Sequence, residues 1–137
     1  MTEDPDVLTP DEPVSRAAQV MRDDDVGSVP IVENRSSKRL RGIITDRDIA
    51  IRCVAEGHDG SCRISEHMST GRLRTVRADE DVERVMSVMQ EAQVRRIPVV
   101  DERDNVIGII AQADLALEAE DEREVERTVE KISEPSR

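Results

Sequence analysis

The chain repeats itself at an interval of about 68 residues, and this repeat limits its possible folds more than any other feature of the sequence. Each copy carries apolar residues at i, i+3, i+4 and i+7, which is the spacing of one buried helix face. These residues are Val14, Ala17, Ala18 and Met21 in the first copy and Val82, Val85, Met86 and Met89 in the second. A unit of about 60 residues buries little apolar surface alone, so we expect two units to pack together around a pseudo-twofold axis.

Two short runs rich in β-branched residues follow each of these helices. The first run of each copy has a proline at the same place, Pro30 or Pro98, and a polar turn separates it from the second run. Beyond the second run, a further helix is predicted to open at Asp48 or Asp114. The predicted order in each copy is therefore strand, helix, strand, strand, helix. The fold class is α/β (α+β), with two pseudo-twofold-related β-α-β-β-α units packed sheet to sheet.

The same patterns divide the chain into a first unit over residues 1–62, a second over 63–117 and a charged C-terminal helix or tail over 118–137. Residues 63–68 predict a short helix that leads into the second unit, and no counterpart stands ahead of the first. The tail has an apolar stripe at i, i+4 and i+7, formed by Val125, Val129 and Ile132. This stripe fits a helix docked on its own domain and a dimer or partner contact equally well.

The composition argues against several classes of partner. The 31 acidic side chains outnumber the 20 basic ones, and the resulting net charge of −11 at pH 7 repels a nucleic-acid backbone. Phe, Tyr and Trp are absent, so no base can stack on an aromatic ring. The sequence has no basic secretory leader and no apolar run of about 18 residues. We therefore expect a cytoplasmic protein that binds neither nucleic acid nor membranes.

Two short motifs add to the repeat. Residues 42–48 read Gly-Ile-Ile-Thr-Asp-Arg-Asp, and residues 94–99 read Val-Arg-Arg-Ile-Pro-Val. Taken with the repeated helix and proline strand, they resemble the tandem cystathionine beta-synthase (CBS) domain family, or Bateman modules, and in particular the small stand-alone CBS-pair proteins of bacteria. The resemblance implies a regulatory module without catalysis of its own, which binds an adenine nucleotide (AMP, ADP or ATP) or an adenosyl ligand between the two units. It also implies a homodimer, a separate partner enzyme or transporter, and no required cofactor.

The resemblance places each ligand cleft between the Asp motif of one unit and the proline strand of the other. The better cleft would then be formed by Thr45, Arg47, Asp48, Arg95, Arg96, Ile97 and Pro98. Asp48 corresponds to the ribose acceptor of the family, and the arginines are available for phosphate. The residues also allow a simpler role, because Thr45 and Asp48 can form a capping box at a helix start.

The opposite cleft would combine Asp114 with Val29 and Pro30, and we expect it to be weak or empty. Ala111 and Ala113 stand where the first copy has Thr and Arg. The second motif therefore lacks a hydroxyl cap, whose loss typically costs about 1 kcal/mol, and it lacks a phosphate partner.

Two other functions stay open. The first is a structural or interaction protein that kept the fold and lost the ligand, which the altered second motif allows. The second is a metal or redox protein that uses the cysteines and histidines between positions 53 and 67, namely Cys53, His58, Cys62 and His67. Their spacing does not match the usual zinc motifs, so no metal is predicted and free thiols are expected. No nucleophile elbow, P-loop or dinucleotide motif is present, so we do not expect an enzyme.

Overall fold

The computed structural model describes residues 2–71 and 74–115, and the predicted C-terminal segment over 118–137 lies outside this part of the chain. The strands are β1 (Thr2–Glu3), β2 (Ser28–Val32), β3 (Leu40–Thr45), β4 (Val76–Arg77), β5 (Arg96–Val100) and β6 (Val106–Ala111). The α-helices are α1 (Val14–Asp24), α2 (Asp46–Asp48) and α3 (Val82–Ala92). α2 continues into a π-helical segment, Ile49–Val54, and a 3₁₀ turn, Ile64–Glu66, lies in the connector between the repeats. Residues 112–115 are helical.

Each repeat is built on one antiparallel hairpin, β2–β3 in the first and β5–β6 in the second. A short parallel segment joins the outer edge of each hairpin. In the second repeat this segment is β4, which pairs with β5, and in the first it is a single bridge from Leu8 to Ile31. Leu8 N–H donates to the carbonyl of Pro30, so the missing N–H of that proline faces this short edge and not β3.

The segment that leads into each repeat pairs with the hairpin of the other repeat. β1 stands ahead of the first repeat and pairs with β6 of the second, with Glu3 opposite Gly108. In the same way Ser69, ahead of the second repeat, exchanges two backbone hydrogen bonds with Ile43 of β3. Backbone pairing therefore crosses between the two units in both directions, which ties the repeats together.

The helices bury a face slightly different from the predicted one. In α1 the buried residues are Val14, Ala17 and Val20, whereas Ala18 is exposed. In α3 they are Val85, Val88 and Met89, with Val82 and Met86 half-buried against the same core. The predicted stripe includes most of the buried positions but omits Val20 and Val88 and includes the exposed Ala18. The edges of such a stripe are not fixed by a 3.6-residue period.

Each repeat has its own apolar core, and a separate apolar cluster joins the two repeats. Val32 and Val100, at the ends of the two proline strands, pack with Val7, Val106 and Leu40. Beside this cluster the two hairpin turns pair with each other: Leu40 N–H donates to the backbone carbonyl of Asp104 at 2.9 Å, and Val106 N–H donates to that of Lys38 at 2.7 Å. Equivalent residues thus meet across a pseudo-twofold axis, as the repeat predicted, and the mixed α+β class is confirmed.

Among the described residues, no helix is both long and apolar enough to cross a membrane.

Candidate functional site

The turn from β3 into α2 is fixed by the predicted capping box. Asp48 N–H donates to Thr45 Oγ1 at 3.0 Å, and the Asp48 carboxylate accepts from Thr45 N–H at 3.0 Å. Two backbone donors that the helix leaves unpaired are satisfied in this way. The capping prediction for Thr45 and Asp48 is confirmed.

The second repeat keeps only half of this arrangement. Ala111 N–H donates to Asp114 Oδ2 at 3.1 Å, but Ala111 has no hydroxyl to accept a bond in return. The two aspartates therefore hold their strand ends in the same way, while the helix start after β6 is less completely capped.

The arginine cleft is an opening of about 570 Å³ between the repeats. It is lined by Asp25, Val26, Gly27, Ser28, Ile43, Thr45, Asp46, Arg47, Val94, Arg95 and Arg96. The first repeat supplies the turn around Thr45 and the entrance to β2, and the second repeat supplies the entrance to β5. Three guanidinium groups and only two carboxylates face this space, and Val26, Ile43 and Val94 give it an apolar wall.

The cations of the arginine cleft are available for a ligand. Within residues 2–71 and 74–115, the side chains of Arg47, Arg95 and Arg96 make no ion pair or hydrogen bond. Elsewhere in the described residues some arginines are paired, as Arg35 is with Glu12 at 2.8 Å, while others such as Arg41 and Arg84 also make no ion pair; what distinguishes the cleft is that three such groups meet in one space. Cations that stay unpaired in an acidic chain attract an anion to the place where they gather.

The aspartate cleft, of about 530 Å³, adjoins the arginine cleft, with which it shares Val26, Ser28 and Arg96, and it has the opposite charge. It is lined by Asp4, Pro5, Asp6, Val20, Asp24, Val26, Ser28, Val29, Arg96, Ile109, Ala111, Ala113 and Asp114. Four carboxylates face a single guanidinium, that of Arg96, which lines both clefts. A hydrogen bond with Asp6 and partial desolvation raise the pKa of Asp24 above its usual value, which reflects the crowding of negative charge here.

The structure brings together four of the residues predicted for the better cleft, namely Thr45, Arg47, Arg95 and Arg96. Asp48 does not line that space, because its carboxylate turns back to Thr45 N–H and its side chain is only 12% exposed. Ile97 and Pro98 are buried and do not line the cleft.

In the opposite cleft, Val29 and Asp114 line the space and Pro30 is buried. Asp4 and Asp6, which were not predicted as site residues, also line this cleft. No sequence signal marks these two residues, because they reach the cleft only through the crossed pairing of β1 with the second repeat.

Three residues outside both clefts could hold a metal. Cys53, Cys62 and His67, which lie within 15 positions of one another, come together in space, and neither cleft includes them. His58 is exposed, with its ring centre 5.4 Å from that of His67. Both cysteines are free thiols, as expected.

The chain belongs to the CBS domain family. The family model for the CBS domain matches it twice, over residues 1–54 and 64–121. This tandem arrangement defines a CBS pair, a class of small regulatory modules.

Relatives agree with this assignment. The CBS domain-containing protein YhcV of Bacillus subtilis (strain 168) is 38% identical over 117 residues, which are 85% of this chain and 80% of the relative. A crystal structure of hypoxic response protein I with two coordinated zinc ions is 35% identical, with a TM-score of 0.76 over 85% of this chain and 92% of that one. The CBS domain pair of protein MJ0100, in complex with 5-methylthioadenosine and S-adenosyl-L-methionine, is 26% identical, with a TM-score of 0.71 over 88% of this chain and 93% of that one.

Proposed function

We propose that this CBS pair senses an adenine nucleotide, or a related adenosyl ligand, in the arginine cleft. The observation that carries the proposal is the meeting of three guanidinium groups, those of Arg47, Arg95 and Arg96, none of which has an ion-pair partner within the described part of the chain. In a chain with a net charge of −11, such a grouping favours one local anion, because charge at the surface is screened over about 8 Å at physiological salt.

Each part of a nucleotide has a matching group in or beside the cleft. The guanidinium groups suit phosphate oxygens. Val26, Ile43 and Val94 offer an aliphatic surface for the base, and Val94 is 40% exposed. With no aromatic ring to stack on it, the base is held by apolar contact alone, which favours modest affinity.

Asp48 is proposed as the ribose acceptor, although its carboxylate already serves the helix cap. Oδ2 accepts from Thr45 N–H, and Oδ1 lies 3.9 Å from Arg52 Nε. An ionised carboxylate can accept about four hydrogen bonds, so the capping bond leaves capacity for a ribose diol.

A ligand in this cleft would bridge the repeats. Thr45 and Arg47 belong to the first repeat, and Arg95 and Arg96 belong to the second. Binding to both favours one relative orientation of the two units, which is regulation by population shift. We propose that the regulated activity resides in a separate enzyme or transporter.

Thermal unfolding of the full chain tests this function. We expect AMP, ADP, ATP or S-adenosylmethionine to raise Tm, with stabilisation of about 2.7 kcal/mol at a hundredfold excess over Kd. NADH completes the panel. Arg47→Ala and Arg95→Ala should each reduce the shift. Arg41→Ala is the matched control, because Arg41 is exposed on β3 and outside both clefts, and it should leave the shift unchanged. A flat response to all five compounds would favour the interaction protein.

We also propose a homodimer, supported by two exposed apolar side chains of the π-helical segment. Ile51 is 46% exposed and Val54 is 65% exposed. Neighbouring apolar side chains of this size favour burial against a partner. Light scattering coupled to gel filtration should give twice the monomer mass, and the double variant Ile51→Asp and Val54→Asp should return the monomer. A monomeric wild-type chain would contradict this.

A further inference from the structure

Three potential metal ligands converge where the first repeat meets the connector. One ligand atom each of Cys53, Cys62 and His67 lies within 4.8 Å of the other two. Cys53 and His67 are buried and Cys62 is half-buried. The gaps of nine and five positions match no usual zinc motif, so the cluster is evident only in the folded chain.

His67 has an unmet bonding requirement. Among the described residues it is the one buried polar or charged side chain, 4% exposed, and its Nε2 atom is buried without a hydrogen-bond partner. Buried ring nitrogens are normally paired, and neutral imidazole is a common metal ligand. A cation bound beside the two thiols would give His67 Nε2 the partner that the described residues do not provide.

The backbone around the cluster is already fixed. α1 has no side-chain cap, and its first amides donate instead to backbone carbonyls of the connector: Val14 N–H to the carbonyl of Cys62 at 2.8 Å and Ser15 N–H to the carbonyl of Gly60 at 2.9 Å. A Cβ at Gly60 would lie only 3.0 Å from Ser15 Cβ, so glycine permits this close approach. Cys62 is therefore held in place by the helix on which the connector rests, as a preorganised ligand requires.

We propose that Cys53, Cys62 and His67 form a binding site for one thiophilic divalent cation, with Zn²⁺ as the best match. Two thiolates and an imidazole are ligands that zinc prefers, with bonds of about 2.3 Å to sulfur and about 2.1 Å to nitrogen. Ligand atoms on such an ion are about 3.5 Å apart, so small side-chain rotations close the site. Both thiols release their protons to solvent on binding. One is the proton that Cys53 directs toward the carbonyl of Asp59, from which its Sγ lies 3.4 Å away.

His58 is the candidate for the fourth ligand. Its ring is exposed, and its centre lies 5.4 Å from that of His67. Two imidazoles on one tetrahedral zinc ion place their ring centres about 5 Å apart. Rotation of this ring toward the cluster would complete a Cys₂His₂ ligand set for the ion. If a water molecule were the fourth ligand instead, the ion would keep an exchangeable coordination position.

The site would fasten the end of the first repeat to the start of the second. Cys53 lies in the last turn of the π-helical segment, while Cys62 and His67 stand on either side of the 3₁₀ turn that precedes Ser69, which bridges to Ile43 of β3. The ion would therefore stabilise the connector between the two repeats. It would act independently of the nucleotide proposed for the arginine cleft.

The test uses the full chain, reduced, stripped with a chelator and desalted. Titration with Co²⁺ should produce the thiolate-to-cobalt charge-transfer bands and the strong visible bands of a tetrahedral ion, and Zn²⁺ should displace it at one ion per chain. Zn²⁺ should also raise Tm. Cys62→Ser should weaken binding by at least about 100-fold, as expected for a direct ligand. His58→Ala should weaken it less and change the cobalt spectrum.

Cys62→Ser is the informative variant because that side chain is only half-buried, and its Tm without metal reports whether it folds. Cys53→Ala provides a second ligand deletion that keeps an apolar group in the core. A wild-type chain that shows no thiolate-to-cobalt band overturns the proposal. So does unchanged affinity for the ion in folded Cys62→Ser.

Discussion

Thr45 and Asp48 bind each other reciprocally: Asp48 N–H donates to the Thr45 hydroxyl, and Thr45 N–H donates to the Asp48 carboxylate, each at 3.0 Å. This pair fixes the turn between β3 and α2, and the same turn forms one wall of the arginine cleft. The residues that shape the proposed ligand site are thus held by a helix cap before any ligand arrives.

The cap gives a matched pair of stability predictions. Thr45→Ala should lower the free energy of unfolding by about 1 kcal/mol, because Asp48 N–H loses its acceptor. Ala111→Thr should raise it, because Asp114 already accepts from the amide at position 111 and a hydroxyl would complete the box. Urea unfolding measures both changes. Equal stability of Thr45→Ala and the wild type would contradict the first prediction. An Ala111→Thr variant less stable than the wild type would contradict the second.

Gly42 is predicted to be intolerant of a side chain. A Cβ there would lie 2.7 Å from the carbonyl oxygen of Ser69, where the crossing segment bonds to Ile43. Gly42→Ala should therefore cost about 1–3 kcal/mol, as overpacking does. Gly71→Ala is the control: apart from its neighbours along the chain, no atom of the described residues lies within 4 Å of the added Cβ, so its urea midpoint should stay close to that of the wild type. Similar midpoints for the two variants would disprove the close approach at Gly42.

Acid should weaken the fold through Glu12 and Asp101. Burial raises the pKa of Glu12, but its hydrogen bonds with Arg35 and Thr9 N–H outweigh burial and leave the pKa below its usual value. The amides of Asn105 and Arg103 lower the pKa of Asp101 in the same way. Because both pKa values are lower when folded, their stabilisation is present above the unfolded value of about 4 and is lost as the pH falls through the folded value.

The measurement is the urea midpoint between about pH 6 and about pH 3. The double variant Glu12→Gln and Asp101→Asn should lose less stability across this interval than the wild type, because its side chains no longer titrate. A loss as large as that of the wild type would show that other carboxylates govern the acid limb.

The arginines of the cleft should contribute to the binding of phosphate groups and not to the binding of the nucleoside. If the guanidinium groups of Arg47 and Arg95 face phosphate, Arg47→Gln and Arg95→Gln should weaken ATP binding more than AMP binding. Adenosine, which carries no phosphate, should bind these variants as it binds the wild type. Calorimetric titration with the three ligands checks this. An equal loss for adenosine would mean that these side chains contact the base or ribose, or that the cleft has changed shape.

Much of this architecture was predictable because a repeat fixes two copies of every element at once. The capping box followed from the positions of Thr45 and Asp48, and the meeting of the Thr45 turn with Arg95 and Arg96 followed from the resemblance to CBS pairs. The orientation of Asp48 did not, because a carboxylate can serve the helix cap or a ligand, and only the fold shows which bond it makes.

Other features depend on contacts that no local pattern encodes. Asp4 reaches the aspartate cleft because β1 pairs with β6, a connection between opposite parts of the sequence. Cys62 approaches Cys53 because the amide of Val14 anchors the connector to α1. Sequence spacing argued against a metal at this place, but spacing measures distance along the chain and not across a folded connector.

A crystal structure of the full chain grown with ATP tests the central proposal most directly. We predict the phosphates within hydrogen-bond distance of Arg47, Arg95 and Arg96, with the base against Val94. Phosphates bound in the aspartate cleft, or an arginine cleft without nucleotide at saturating ATP, would contradict it.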